Sequence, residues 1–210
     1  MNIAIIGASA GVGLCCVELA LQRGHHVTTL SRSIASLPNH PQLDRLQGSA
    51  TNLPELKNAI AQADAVIVAL GTGKSTKATT LYTEAAHKLI RAQQDLQLTI
   101  PFVILTGFGA GESAQYQGFF MRMFFKLLLE SVYKNKTEME EMIAESNLNW
   151  IIARPGVLTN KPLSGRYRVE TKYYQGMKIG SIARYDVADF LVSQAEHPTL
   201  LKTYPALSNK

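Results

Sequence analysis

The stretch "NIAIIGASAGVG", residues 2–13, decides how the chain is read. A run of apolar strand-formers ends abruptly in three glycines, Gly7, Gly11 and Gly13. Two arrangements explain such a run. One is a turn whose backbone cradles phosphate, and the other is a tight turn that binds nothing. The rest of the chain separates them.

Strand and helix patterns alternate after that opening. Residues 2–6 predict a strand, 11–23 a helix ended by Gly24, 25–30 a second strand and 43–47 a short third. "NLPELKNAIAQA" (52–63) has an Asn cap and a first-turn proline, which predicts a helix. "DAVIVAL" (64–70) and "PFVILTG" (101–107) are continuous apolar runs, as expected of strands buried on both faces. Helices are expected over 78–96, 119–146 and 185–196, a strand over 149–156, a mixed segment at "GRYRVET" and a short tail at the end. This rhythm predicts an α/β fold: one doubly wound parallel sheet, a single domain over 1–210, with a small substrate-side extension after Pro155.

The bulk composition fits a globular chain of 210 residues, with 46% hydrophobic and 18% charged residues. The net charge of +5 suits anionic ligands in general, but no Lys/Arg run marks a nucleic-acid footprint. Cys15 and Cys16 are adjacent and read as buried thiols, which suggests a reducing, cytoplasmic setting. "FFMRMFFKLLLE" (119–130) is interrupted by Arg122 and Lys126 and is too short for a membrane span, which needs about 20 apolar residues. Core packing, a lip over the substrate and a subunit contact all remain open for it. A soluble protein is expected.

In a doubly wound sheet, ligands bind at the carboxyl ends of the strands near the switch point. There Gly7 would permit the sharp turn, Gly11 close approach to a pyrophosphate, and Gly13 tight packing of helix on sheet. The helix N-terminus then offers free N–H groups to the phosphates. Placed after a strand and at the opening of a helix, the glycines point to dinucleotide binding. At the end of the second strand stand Ser31, Arg32 and Ser33, with no acid before Asp44. A carboxylate would repel a 2′-phosphate, whereas a guanidinium pairs with it. NADPH is therefore expected over NADH.

Other motifs fail. "GTGKST" (71–76) lacks the glycine five places before Gly73 that a triphosphate loop requires, because Val68 stands there. Tyr174 and Lys178 have Tyr-x-x-x-Lys spacing but lie after Pro155-Gly156 rather than before it. The five histidines are dispersed, so no metal site is expected.

"GASAGVG" resembles the glycine turn of short-chain dehydrogenases. "DAVIVALGT" (64–72), "VILTGFGAGES" (103–113), "KTEMEEMIAESNLNWIIARPGVLT" (136–159), "PLSGRYRV" (162–169) and "TYP" (203–205) resemble the atypical, NmrA-like branch without the Tyr-Lys pair. Within that branch the chain is most similar to the biliverdin IXβ reductase/flavin reductase family. The similarity covers nearly the whole chain. It implies one Rossmann domain that uses NADPH to reduce flavins or linear tetrapyrroles.

The resemblance also implies residue roles. Gly7, Ser9, Ala10, Gly11, Val12 and Gly13 would hold the pyrophosphate. Ser31 and Arg32, with Ala35 and Ser36, would surround the 2′-phosphate. Ser49 and Ala50 would lie by the adenine, and Leu70, Gly71 and Thr72 by the ribose. Tyr82, His87, Leu105, Thr106, Lys136 and the turn Pro155, Gly156, Val157 would approach the nicotinamide half.

This chain departs from the family at several places. It has Gly48-Ser49 where Gly-Asp is usual, no basic residue near Ser36, and Gly107 where a serine sits beside the substrate. Lys136 and Val157 replace histidines of the vertebrate reductases, and helix 119–130 is extended.

A planar acceptor could take a hydride directly, with its proton from solvent. Thr106 and Lys136 are the candidate catalytic residues. Gly107 would join Thr106 in the floor under the acceptor and Phe108 would wall it, while Arg166 and Lys172 are candidates for propionate contact. Family precedent implies a monomer acting on a small molecule. The rival is an NADP-binding sensor that catalyses nothing. An isoflavone-type or sugar-nucleotide-type enzyme is disfavoured by the short C-terminal part.

Overall fold

The computed structural model describes residues 1–73, 75–116, 118, 123 and 127–209. The first half alternates as expected: β1 (Asn2–Ile6), α1 (Gly11–Gln22), β2 (His26–Ser31), β3 (Leu43–Gln47), α2 (Leu53–Ile60), β4 (Ala65–Val68) and α3 (Leu81–Leu96). Then come β5 (Pro101–Leu105), a 3-10 turn (Gly111–Tyr116), α4 (Glu130–Ala144), β6 (Asn149–Pro155), β7 (Val157–Thr159), β8 (Tyr167–Glu170), β9 (Ser181–Ala183), α5 (Arg184–Glu196) and β10 (Ala206–Asn209).

The main sheet has the order β3-β2-β1-β4-β5-β6-β10-β8, with β7 and β9 forming a separate pair. All neighbours in the main sheet run parallel except β8, which is antiparallel to β10. The order reverses at β1, so β1 and β4 flank the switch point. A ligand crevice opens beyond the carboxyl ends of strands at such a point.

Alternate strand residues feed two cores. Ile3, Ile5, Ile67 and Val103 pack with α1 and α5 on one face, and Ala4, Ile6, Val68 and Ile104 pack with α2, α3 and α4 on the other. This two-sided burial is why the strands read as unbroken apolar runs. Each fully buried leucine or isoleucine contributes about 1.5–3 kcal/mol.

Local signals set several boundaries. Asn52 caps α2 by accepting from Glu55 N–H at 3.3 Å. Gly24, at φ +79°, ends α1 with its N–H on Leu21 O at 2.9 Å.

Two expectations are corrected. The tail is a buried strand, because β10 is inserted between β6 and β8. Four residues are too few for their periodicity to announce a strand. "GRYRVET" supplies the edge strand β8, and its preceding turn is anchored because buried Asp186 accepts from Ser164 N–H at 2.8 Å and Gly165 N–H at 3.0 Å. Of the helix expected over 119–146, α4 is described, whereas 119–122 and 124–126 lie outside the described residues. Among the described residues no helix is long and apolar enough to cross a membrane.

Candidate functional site

A cavity of about 630 Å³ opens at the carboxyl ends of β1, β2, β4 and β5. At its centre is the turn after β1. Gly7 has φ +88°, and a Cβ there would sit 2.6 Å from Ala69 O. A Cβ on Gly13 would meet Gly7 O at 2.2 Å, so Gly13 lies behind the turn and lets α1 press against it. Gly11, in contrast, faces the cavity at φ +58°, and a Cβ there would meet nothing closer than Arg184 Nε at 3.9 Å. The turn is tied to the sheet by Ala8 N–H donating to Ser31 Oγ at 2.8 Å. Ser36 Oγ donates to Ser9 O at 2.5 Å. A backbone cradle that a Cβ would fill, facing the N-terminus of α1, suits a pyrophosphate.

Ser9, Ala10, Gly11, Val12, Ser31, Arg32, Ser49 and Ala50 line this half of the cavity, and Leu70, Gly71 and Thr72 line the wall after β4. Gly73, Ser75 and Thr76 line it too. "GTGKST" is therefore a strand-end loop, with Lys74 outside the described residues. Arg32 is exposed and has no ion-pair partner among the described residues. Its strand end is held by Gln47 Nε2 donating to Arg32 O at 3.2 Å.

The other half is built by Leu105 and Thr106 at the end of β5, Tyr82 on α3, and Tyr133 and Lys136 on α4. Asn135 joins the helices by accepting from Tyr82 N–H at 3.0 Å and donating to Thr83 Oγ1 at 2.9 Å. Lys136 Nζ donates to Thr106 O at 2.7 Å and lies 5.3 Å and 5.0 Å from the ring centroids of Tyr82 and Tyr133. Burial pulls its ammonium down to about 8, against the opposing attraction of Glu140. Burial pushes the Tyr133 hydroxyl up.

Beneath this half runs a buried polar network. Thr106 Oγ1 donates to Glu140 Oε1 at 2.6 Å. Arg154 grips Glu140 from Nη2 at 2.7 Å and Nε at 3.2 Å, and Glu112 from Nη1 at 2.7 Å and Nη2 at 2.9 Å. Arg154 and Glu140 are only 1% and 2% exposed. Burial pushes the Glu140 carboxyl above its ordinary value, with the forked Arg154 guanidinium and the Thr106 hydroxyl pulling the other way. Burial also pulls on Glu112, and there Arg154 prevails and holds the carboxyl below its ordinary value. The consequence reaches the cavity. With its proton directed at Glu140, the Thr106 hydroxyl offers its oxygen lone pairs to a ligand as an acceptor.

Several expected residues stand elsewhere. His87 is exposed on α3, and Ala35 and Ser36 are exposed beside the turn; none of the three lines the cavity. Pro155, Gly156 and Val157 do not line it either. A Cβ on Gly156 would meet Gly180 O at 2.0 Å, so this turn serves to bring β7 against β9. Gly107 lies below Tyr133, whose Oη would be 2.7 Å from a Cβ there. Phe108 is buried in a separate cluster with Met177 and Ala206, its ring edge-on to Tyr173 at 5.9 Å. Arg166 and Lys172 are exposed and outside the lining, as are Tyr174 and Lys178.

Tyr133 and Arg184 line the cavity although the sequence reading passed over them. Tyr133 had a signal, since it precedes Lys136 by three places and so shares its helix face. Arg184 had none, because its position depends on β7 and β9.

A family model described as NAD(P)H-binding matches residues 7–198. The chain belongs to this NAD(P)H-binding family, and NAD(P)H is its cofactor. Among solved structures it is similar to a short-chain dehydrogenase/reductase from Veillonella parvula in complex with NADP (TM-score 0.84, 17% identity, covering 99% of this chain and 94% of that one). ChuY, an anaerobilin reductase from Escherichia coli O157:H7, matches with TM-score 0.82 and 21% identity over 100% of this chain and 97% of that one. SP1627 of Streptococcus pneumoniae, whose NADH-flavin reductase activity is itself a proposal, matches with TM-score 0.79 and 22% identity over the whole of both chains. One stretch of 65 residues is 34% identical to a 3-beta-hydroxysteroid dehydrogenase of Mycolicibacterium neoaurum, covering 31% of this chain and 18% of that protein.

Proposed function

We propose that this chain is an NADPH-dependent reductase that passes a hydride to a planar acceptor, a flavin or a linear tetrapyrrole. The observation that carries this reading is the cavity itself. A backbone phosphate cradle at one end runs without interruption into a pocket at the other, walled by Tyr82 and Tyr133, and no carboxylate lines it among the described residues. Two structural neighbours, one an anaerobilin reductase and one proposed as a flavin reductase, support the choice of acceptor class.

Bound nicotinamide supplies the hydride; the residues supply placement and field. Arg32, beside Ser31 at the end of β2, is the group suited to a 2′-phosphate, and no acid stands there to repel one. Thr106 Oγ1 accepts from an amide N–H and so orients the ring that carries it. Lys136 keeps N–H donors for the cavity after bonding Thr106 O, and its charge favours an acceptor bearing phosphate or carboxylate. The two tyrosine rings exclude water and offer faces for stacking.

The test is NADPH oxidation followed at its absorbance band, with FMN, riboflavin and biliverdin offered separately and NADH alongside. Turnover with one of them, faster with NADPH, is expected. NADPH binding without turnover of any acceptor would replace the enzyme by a cofactor sensor.

A further inference from the structure

Arg184 is a cation of the cavity that neither the glycine turn nor the end of β2 accounts for. It is the first residue of α5, which lies far along the chain from α1. The β7–β9 pair places it: Thr159 pairs with Ala183, so the next residues on each strand, Asn160 and Arg184, emerge together. Arg184 Nη1 donates to Asn160 Oδ1 at 2.7 Å. Its Nε lies 3.9 Å from the place a Cβ on Gly11 would occupy, and among the described residues outside the turn it alone comes that close. The guanidinium thus stands across the cavity from the first N–H groups of α1.

Among the described residues no carboxylate pairs with Arg184 to balance its charge. Glu18 of α1 accepts from the Tyr185 hydroxyl instead. A cation at the start of a helix also opposes the positive end of that helix's dipole. Arg184 therefore sits where its own helix disfavours it, facing the positive end of α1. An anion between them would satisfy all three groups.

We infer that Arg184 is the counter-cation of the dinucleotide's pyrophosphate, held in place by Asn160. The inference rests on the NAD(P)H reading of the cavity. It makes the two basic side chains divide the work: Arg184 serves the phosphates common to NADPH and NADH, and Arg32 serves the phosphate that only NADPH carries.

The experiment is a calorimetric titration of the purified chain with NADPH and with NADH, with no acceptor present. Arg184→Ala is expected to weaken both by a similar factor, about tenfold or more, leaving their ratio unchanged. Arg184→Lys should recover part of the loss. Asn160→Ala should weaken both by about two- to fivefold, since it removes one orienting hydrogen bond. Arg32→Ala should instead weaken NADPH alone. Unchanged affinity in Arg184→Ala would overturn the inference. So would a loss confined to NADPH, or intact cofactor binding with a raised KM for FMN relative to riboflavin. Thermal unfolding accompanies each variant; if Arg184→Ala does not fold, Asn160→Ala decides alone. Failure of the unaltered chain to bind either dinucleotide would sink the underlying reading, an outcome distinct from all of these.

Discussion

At the phosphate end of the cavity the cradle is made of backbone N–H groups within one strand-turn-helix unit, β1 through α1, with the side chains of Arg32 and Arg184 beside it. At the acceptor end they are side chains from β5, α3 and α4, aligned by a buried network that reaches β6. At the first end the cradle depends on the absence of side chains, at Gly13 against its sequence neighbour Gly7 and at Gly7 against Ala69 of the adjoining strand end. The second depends on long polar side chains whose partners are far apart along the chain. The difference teaches that the two ends should fail in different ways: one through steric intrusion, the other through an unpaired charge.

The largest effect is expected at the first end. Gly13→Val puts carbon where Gly7 O already stands, at 2.2 Å, and backbone cannot yield as a flexible side chain would. A loss above about 4 kcal/mol is expected, read by urea unfolding, together with loss of dinucleotide binding. Near-normal stability would show that α1 can move off the turn.

At the second end, Glu140→Ala strands the buried Arg154, though Glu112 still pairs with it. About 3 kcal/mol is expected from the same measurement. Glu140→Gln keeps the shape and an oxygen that can accept from the Thr106 hydroxyl, and should cost less. Equal costs for the two variants would mean that the lost charge alone matters there, and not the shape or hydrogen bonds that Gln keeps.

Lys136 gives a smaller effect with a direction in pH. Its ammonium titrates at about 8, so capture of an acidic acceptor should be full below that and fade as pH rises through it. The KM for FMN should therefore rise above about pH 8, that for riboflavin should stay flat, and Lys136→Met should erase the difference. For stability the sign is opposite. The folded chain releases this proton more readily than the unfolded one, so the group's contribution improves from about pH 8 towards the ordinary lysine range. A pH-independent KM for FMN would remove Lys136 from acceptor binding.

The smallest effect tests a residue that the resemblance assigned and the fold did not bring to the cavity. His87→Ala should change dinucleotide affinity and stability by no more than about 0.5 kcal/mol. A tenfold loss would mean that α3 presents this exposed face to a ligand after all.

How far these features were legible depended on the range of the interactions behind them. β1, β4 and β5 announced themselves because strands buried on both faces leave continuous apolar runs. The glycine turn did so because its close contacts, Gly7 with Ala69 and Gly13 with Gly7, admit no side chain. Lys136 and Tyr82 entered through resemblance. Tyr133 was overlooked although its spacing from Lys136 was visible. Phe108 was assigned to the acceptor wall, but its neighbours Met177 and Ala206 come from much later in the chain and enclose it elsewhere.

By itself, the sequence determined the α/β order, the central strand, the phosphate cradle and the lack of an acid at the end of β2, because each arises from local sterics, periodicity or charge. Only the tertiary structure decided that the tail would be a sheet strand, that Thr106 would be bound to Glu140 as a hydrogen-bond donor, and that Arg184 would face Gly11. Each of these rests on contacts between segments distant in the chain, whose register no local pattern encodes.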